Sequence, residues 1–322
     1  MPTHAVLLIL LGVVGCGGGS ADAVARVNQR RLSRDRLAEL MILAQPVPLT
    51  TEVAYELASH WVTLTAFAQR VAAGDSMLDS TTILDLMTHR VRWELVEEWR
   101  RRLVARARPP EVAGFDSAYA RELLREKGAR LAQDATSMLR EIATDPWRSR
   151  DSSRTLATFA GGAITVGQLQ RYVQYLFPAM RQEMRAAPDE RITEFLWGFV
   201  LRELLVSQAD SAGVRLSEAR YREIQAECRQ AVHSIWSRTG LDPASLAAAG
   251  ATVAEREHAA SRRVEEYLEA AAARRVPLEP VPAFLAVPLL REARWEITGD
   301  RMGGVVEQAR RLIAATEARP TP

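Results

Sequence analysis

The chain has 322 residues, 48% hydrophobic and 25% charged, a make-up that excludes general disorder and leaves room for one large or two small domains. A formal net charge of +2 makes no case for nucleic acid, and Lys127 is the only lysine among 42 basic residues, an arginine excess that reflects coding bias more than a selected basic face. Cys16 and Cys228 are the only cysteines, so a fold that has spent Cys16 has no internal disulfide and must stand on its core.

In chain order the first element is the apolar run Ala5 to Cys16. It is too short to span a bilayer, which takes roughly 20 residues, but it matches the apolar core of an export signal. Residues 1–15 are therefore expected to be a signal peptide. The ending Val13-Val14-Gly15-Cys16 resembles the lipobox of bacterial lipoproteins. That resemblance implies cleavage before Cys16 and lipid on its sulfur, with several acyl chains holding the chain at a membrane. Residues 16–23, with Gly17-Gly18-Gly19-Ser20, then form a flexible lipidated tether. With Gly17 and Gly18 after the cysteine and no Asp beside it, the same resemblance implies the periplasmic face of the outer membrane.

The next feature repeats. Ala25-Arg26-Val27-Asn28-Gln29-Arg30-Arg31-Leu32-Ser33 with Leu37 lines up, 132 residues on, with Ala157-Thr158-Phe159-Ala160-Gly161-Gly162-Ala163-Ile164-Thr165 with Leu169. Both read as strand, turn and helix cap: Asn28-Gln29 and Gly161-Gly162 turn the chain, and Ser33 and Thr165 cap the helix that follows. Trp61 falls opposite Trp197, and Ala72 to Leu78 opposite Ser211 to Leu216.

Two units follow, at 24–150 and 151–275. In the first, Leu84, Met87, Val91, Leu95, Trp99 and Leu103 form the apolar stripe of a long helix that Pro109-Pro110 must end. A single further helix is expected from Phe115 to Ala143, on Leu123, Leu124, Leu131, Met138 and Ile142, with Asp145-Pro146 closing it. Asp151-Ser152-Ser153 marks the joint. The second unit adds helices near 166–186, 190–212, 217–239 and 252–274. Over 276–322, Pro277, Pro280, Pro282 and Pro288 predict an extended arm, followed by a short strand over 291–297 and a helix over 301–317. The fold class is mainly α with short β-hairpins.

Val24-Ala25-x-Val27-Asn28 leading to Leu32-Ser33 and Leu37 resembles the N-terminal chaperone region of SurA- and PrsA-type periplasmic peptidyl-prolyl isomerases. The segment Leu156 to Thr165 resembles it at least as closely, and Ala209-Asp210-Ser211-Ala212-Gly213-Val214-Arg215-Leu216-Ser217 is similar to the family's small-residue junction between helices. Gln29 replaces the family's turn glycine in the first copy. The resemblance implies two SurA-N-like helical units that bind unfolded or outer-membrane client polypeptides. In that family the isomerase sits in a parvulin domain with an Arg-His-Ile-Leu-type strand at its start and a Gly-Tyr-His-Ile-type strand at its end. Neither occurs here, none of His4, His60, His89, His233 and His258 lies in such a pattern, and residues 105–155 are too few and too helical to hold the domain. The expectation is a chaperone framework without catalysis.

Other chemistry is weak. Cys228-x4-His233 lacks the further Cys or His that a metal site needs, and reads as a core thiol. Glu97-Glu98 and Glu265-Glu266 sit among arginines at the spacing of surface ion pairs. No catalytic residue, metal or cofactor is expected. For client binding the candidates are Tyr172, Tyr175, Phe177, Met180 and Met184, because flexible Met and aromatic side chains suit a surface that accepts varied partners. The expected partners are unfolded or outer-membrane protein clients and, through the anchor, the membrane. The alternative is a scaffold lipoprotein that docks one specific membrane partner.

Overall fold

The computed structural model describes residues 22–106, 115–144, 152–176 and 178–317; Cys16 and the signal segment lie outside them. Helix takes 71% of the described residues and strand 8%, so helix faces must supply most of the core.

Strand β1 (Ala23–Val27) turns at Asn28 and Gln29 into β2 (Arg30–Ser33). Asn28 takes a φ of 51°, a left-handed backbone that Asn tolerates better than most residues. Ser33 caps α1 (Arg34–Leu43), its Oγ accepting the Arg36 N–H at 3.2 Å. Helix α2 (Thr51–Ala72) ends in the turn at Gly74, and α3 (Ser80–Arg106) follows.

The single helix expected over 115–143 is three elements: α4 (Phe115–Glu126), β3 (Arg130–Leu131) and α5 (Ala135–Thr144). Gly128, at a φ of 56°, ends α4 with the Gly128 N–H on Arg125 O and the Ala129 N–H on Leu124 O. The two residues of β3 are then captured by a sheet, which outweighs their helical spacing.

Strands β4 (Thr155–Phe159) and β5 (Gly162–Thr165) form the second hairpin. Its turn is at Ala160 and Gly161, with Gly161 at a φ of 101°; Gly162, expected in the turn, already pairs with Phe159. Thr165 caps α6 (Val166–Gln174) in a reciprocal box: its Oγ1 accepts the Gln168 N–H at 3.2 Å while Gln168 Oε1 accepts the Thr165 N–H at 2.7 Å. The helix predicted over 166–186 divides here, because α7 (Pro178–Ala186) begins on a proline, which can start a helix but not donate within one.

After them come α8 (Asp189–Ser211), α9 (Glu218–Thr239), α10 (Pro243–Ala249) and α11 (Val253–Ala272). Residues 277–282 are neither helix nor strand, but Ala283–Glu292, where the expected arm continued to Pro288, is a helix, α12, with Pro288 inside it. An interior proline costs about 3 kcal/mol, and the burial of Leu285, Val287, Leu289 and Leu290 offsets it. Strand β6 (Trp295–Ile297), a 3-10 turn at Gly299–Arg301 and α13 (Met302–Glu317) complete the order.

Packing draws two compact units from separate stretches. Unit 1 takes the described residues through Val62, Leu268–Leu278 and the stretch from Arg294 onward; unit 2 takes Thr63–Tyr267 and Glu279–Ala293. The spans 24–150 and 151–275 follow the repeat instead, each opening on its own hairpin.

In unit 1 the sheet has the order β2-β1-β6, and α1 packs on α13. In unit 2 the order is β3-β4-β5; α5 packs against α6, α7 and α8, and α3 against α8, α9 and α12. The core of unit 2 runs from Val96 and Trp99 through Met138, Leu139 and Ile142 to Leu156, Ile164, Leu169, Leu196 and Phe199.

The repeat is reproduced in hairpin register. Ala25 pairs with Leu32 and Ala157 with Ile164; both hairpins bulge one residue earlier, at Val24 and Leu156. The outer strand also matches. Ile297 stands opposite Ala25 as Leu131 stands opposite Ala157. The Thr298 N–H donates to Val24 O at 2.9 Å and the Ala132 N–H to Leu156 O at 2.8 Å. Gly74 and Gly213 close α2 and α8 with the same pair of backbone bonds, from Gly74 to Val71 O and Asp75 to Arg70 O, and from Gly213 to Asp210 O and Val214 to Ala209 O.

Candidate functional site

Within unit 2 an open cavity of about 350 Å³ lies among α3, α4, α6 and α8. Helical spacing builds it. Trp93, Val96, Glu97 and Arg100 recur every three or four residues on one face of α3, and Phe195, Gly198, Phe199, Arg202 and Leu205 do the same on α8. Tyr119 from α4 and Tyr172 from α6 complete the wall. Gly198 makes room: a Cβ added there would meet nothing within 4 Å. The volume is within the range of pockets for small ligands, roughly 300–1,000 Å³.

The wall is aromatic with one unusual cation. Tyr172 lies 5.2 Å from Phe199 and 6.0 Å from Phe195, ring centre to ring centre. The Arg202 guanidinium sits over Tyr172 at 4.5 Å and over Trp93 at 5.8 Å. Its Nε is buried without a hydrogen-bond partner, and its side chain is only 11% exposed. The Glu203 carboxylate is 4.0 Å away, beyond hydrogen-bond distance, and is held at 3.1 Å by Arg92. Burial pulls the Arg202 guanidinium below its usual range. Glu97, by contrast, accepts from Arg100 at 3.1 Å.

The five client-binding candidates separate. Tyr172 lines the cavity. Tyr175 does not: it stacks on His89 at 3.7 Å with the rings 2° from parallel. Burial, and then Arg202 and Arg92, push the His89 imidazole down to about 4, so it is neutral at pH 7. Met184 belongs to the core, Met180 is 41% exposed at the surface, and Phe177 lies outside the described residues. Sequence reasoning missed Trp93, Phe195, Phe199, Gly198 and Arg202; the available signal was a mid-helix glycine flanked at helical spacing by aromatic residues and an arginine.

Cys228 is buried, its thiol pushed up to about 11 by burial, while His233 stands edge-on to Trp236 at 4.9 Å. Among the described residues no group of three or more His, Cys, Asp or Glu is placed to hold a metal, and no helix is long and apolar enough to cross a membrane. Compared with family models, with curated proteins and with solved structures, the chain matches none of them.

Proposed function

We propose that this protein is a lipid-anchored, periplasmic chaperone-like protein that binds segments of unfolded or outer-membrane client polypeptides, without catalysis. The observation that carries the reading is the aromatic cavity on unit 2, wide enough for one or two apolar side chains and edged with charge. Weak, shape-tolerant burial of apolar side chains is what holding an unfolded chain requires. The hairpin, cap and helix that open each repeat support the likeness to the SurA and PrsA chaperone region. Attachment through Cys16 would supply effective concentration at the membrane.

The test is light scattering of an unfolded outer-membrane protein diluted into buffer with the soluble form beginning at Gly17. Suppression at equimolar protein, for several unrelated clients, is the expected result. Unchanged scattering, together with one stoichiometric partner in a pull-down, would favour the scaffold lipoprotein instead.

A further inference from the structure

Among the charged groups of the cavity wall, Arg202 is the one whose pairing is incomplete. Glu97 and Arg100 satisfy each other at 3.1 Å. Arg202 has a buried Nε without a partner, two aromatic faces, and its nearest carboxylate at 4.0 Å. A buried donor left unsatisfied costs about 1–3 kcal/mol, more when it belongs to a charged group, and a guanidinium in an apolar wall is matched by a carboxylate that brings apolar surface with it.

We infer that the cavity takes the C-terminal residue of a client polypeptide, its apolar side chain against Trp93, Phe195 and Phe199 and its α-carboxylate on the Arg202 guanidinium. This rests on the chaperone reading and deepens it by naming the part of the client that is held. Three observations select this occupant. A volume of about 350 Å³ suits one or two side chains and not a length of strand. The cation borders the aromatic wall directly, so carboxylate and apolar group must lie within one residue of each other, as they do at a chain end. An internal Asp or Glu spends its own side chain on the charge and leaves the aromatic wall to a neighbour.

The experiment is fluorescence anisotropy with the whole soluble chain and an N-terminally labelled hexapeptide, Gly-Ser-Gly-Ser-Gly-Phe, in two forms: free carboxylate and C-terminal amide. The free acid is expected to bind at least tenfold more tightly. Arg202→Gln should abolish that difference, and Arg202→Lys should restore part of it. Because Arg202 is largely buried, Gly198→Leu is the second variant. It fills the cavity from a helical position with open space around it, and should remove binding of both forms while circular dichroism and the melting temperature are kept. Equal affinity for acid and amide, or full binding by Gly198→Leu, would overturn the inference. So would decanoate binding more tightly than the peptide acid and displacing it, since the occupant would then be a free acyl acid. Client aggregation measured on the same preparations separates the two readings: suppression without an acid preference sinks only the terminal carboxylate, and no suppression sinks the chaperone.

Discussion

The sheet of unit 1 and the sheet of unit 2 have the same register, the same bulge and the same outer strand, yet they are closed by chain from opposite directions. In unit 2, β3 and α5 come from just upstream of the hairpin they complete. In unit 1, β6 and α13 come from the far end of the sequence, so that Arg26 and Glu296, neighbours across the sheet, are 270 residues apart. With the repeats at 24–150 and 151–275, the second hairpin is completed by a strand and helix of the first repeat, and the first hairpin by a strand and helix that follow the second. Closing a longer loop costs more entropy, though the cost grows slowly with length, and it slows folding more than it destabilises. Unit 2 can therefore assemble from local contacts, whereas unit 1 must wait for residues from Arg294 onward.

Unit 1 shows a corresponding extra pin. Asn28 both donates its N–H to Arg294 O at 2.6 Å and accepts the Arg294 N–H on its Oδ1 at 3.1 Å. At the matching place in unit 2, Ala160 makes only the backbone bond, to Lys127 O at 2.7 Å. The distant strand carries a side-chain clasp that the nearby strand lacks.

The largest effect should come from removing the distant partner. A chain stopped after Ala293 loses β6 and α13, and with them the buried Met302, Val305, Val306 and Ala309 of unit 1. Hydrogen exchange is expected to show residues 23–43 unprotected while 155–173 keep their protection. Full protection of 23–43 in the shortened chain would break the comparison.

A smaller effect belongs to acid. His89 in unit 2 is held to about 4 against an ordinary 6.5. A histidine with a lowered pKa binds its proton more readily when unfolded, so its contribution is present above about 6.5 and is lost as pH falls toward 4. Urea midpoints should decline over that window. His89→Phe keeps a ring against Tyr175 and should flatten the decline; an equal slope in the variant would count against it.

The smallest effect is at the caps. Ser33→Ala and Thr165→Ala should each cost about 1 kcal/mol in denaturant unfolding. Thr165→Ala should cost the more, because the Thr165 hydroxyl both accepts the Gln168 N–H and donates to Gln168 Oε1 at 3.3 Å, where Ser33 Oγ accepts a single N–H. A larger loss at Ser33 would reverse the ranking.

Much of this fold is legible in the residues. The two hairpins, both caps, the strand at Trp295 and the closing helix all follow from alternation, turn residues and capping. The break after α4 was hidden because Leu131 keeps helical spacing with Leu124 and Met138, and only sheet pairing at long range makes Arg130 and Leu131 a strand. Helix α12 was hidden by its prolines, since buried leucines and not propensity hold it. The return of the C-terminal strand to β1 leaves no local trace at all. Of the site, Tyr172 was readable as an aromatic on the helix after the hairpin. Arg202 was not, because one incompletely paired guanidinium among 42 basic residues differs only in its surroundings.

The measurement closest to the central claim compares wild type with Gly198→Leu in client aggregation. If the aromatic cavity holds unfolded chain, the wild type suppresses light scattering and the folded variant with its cavity filled does not. Equal suppression by both would place client binding elsewhere on the molecule and contradict the account.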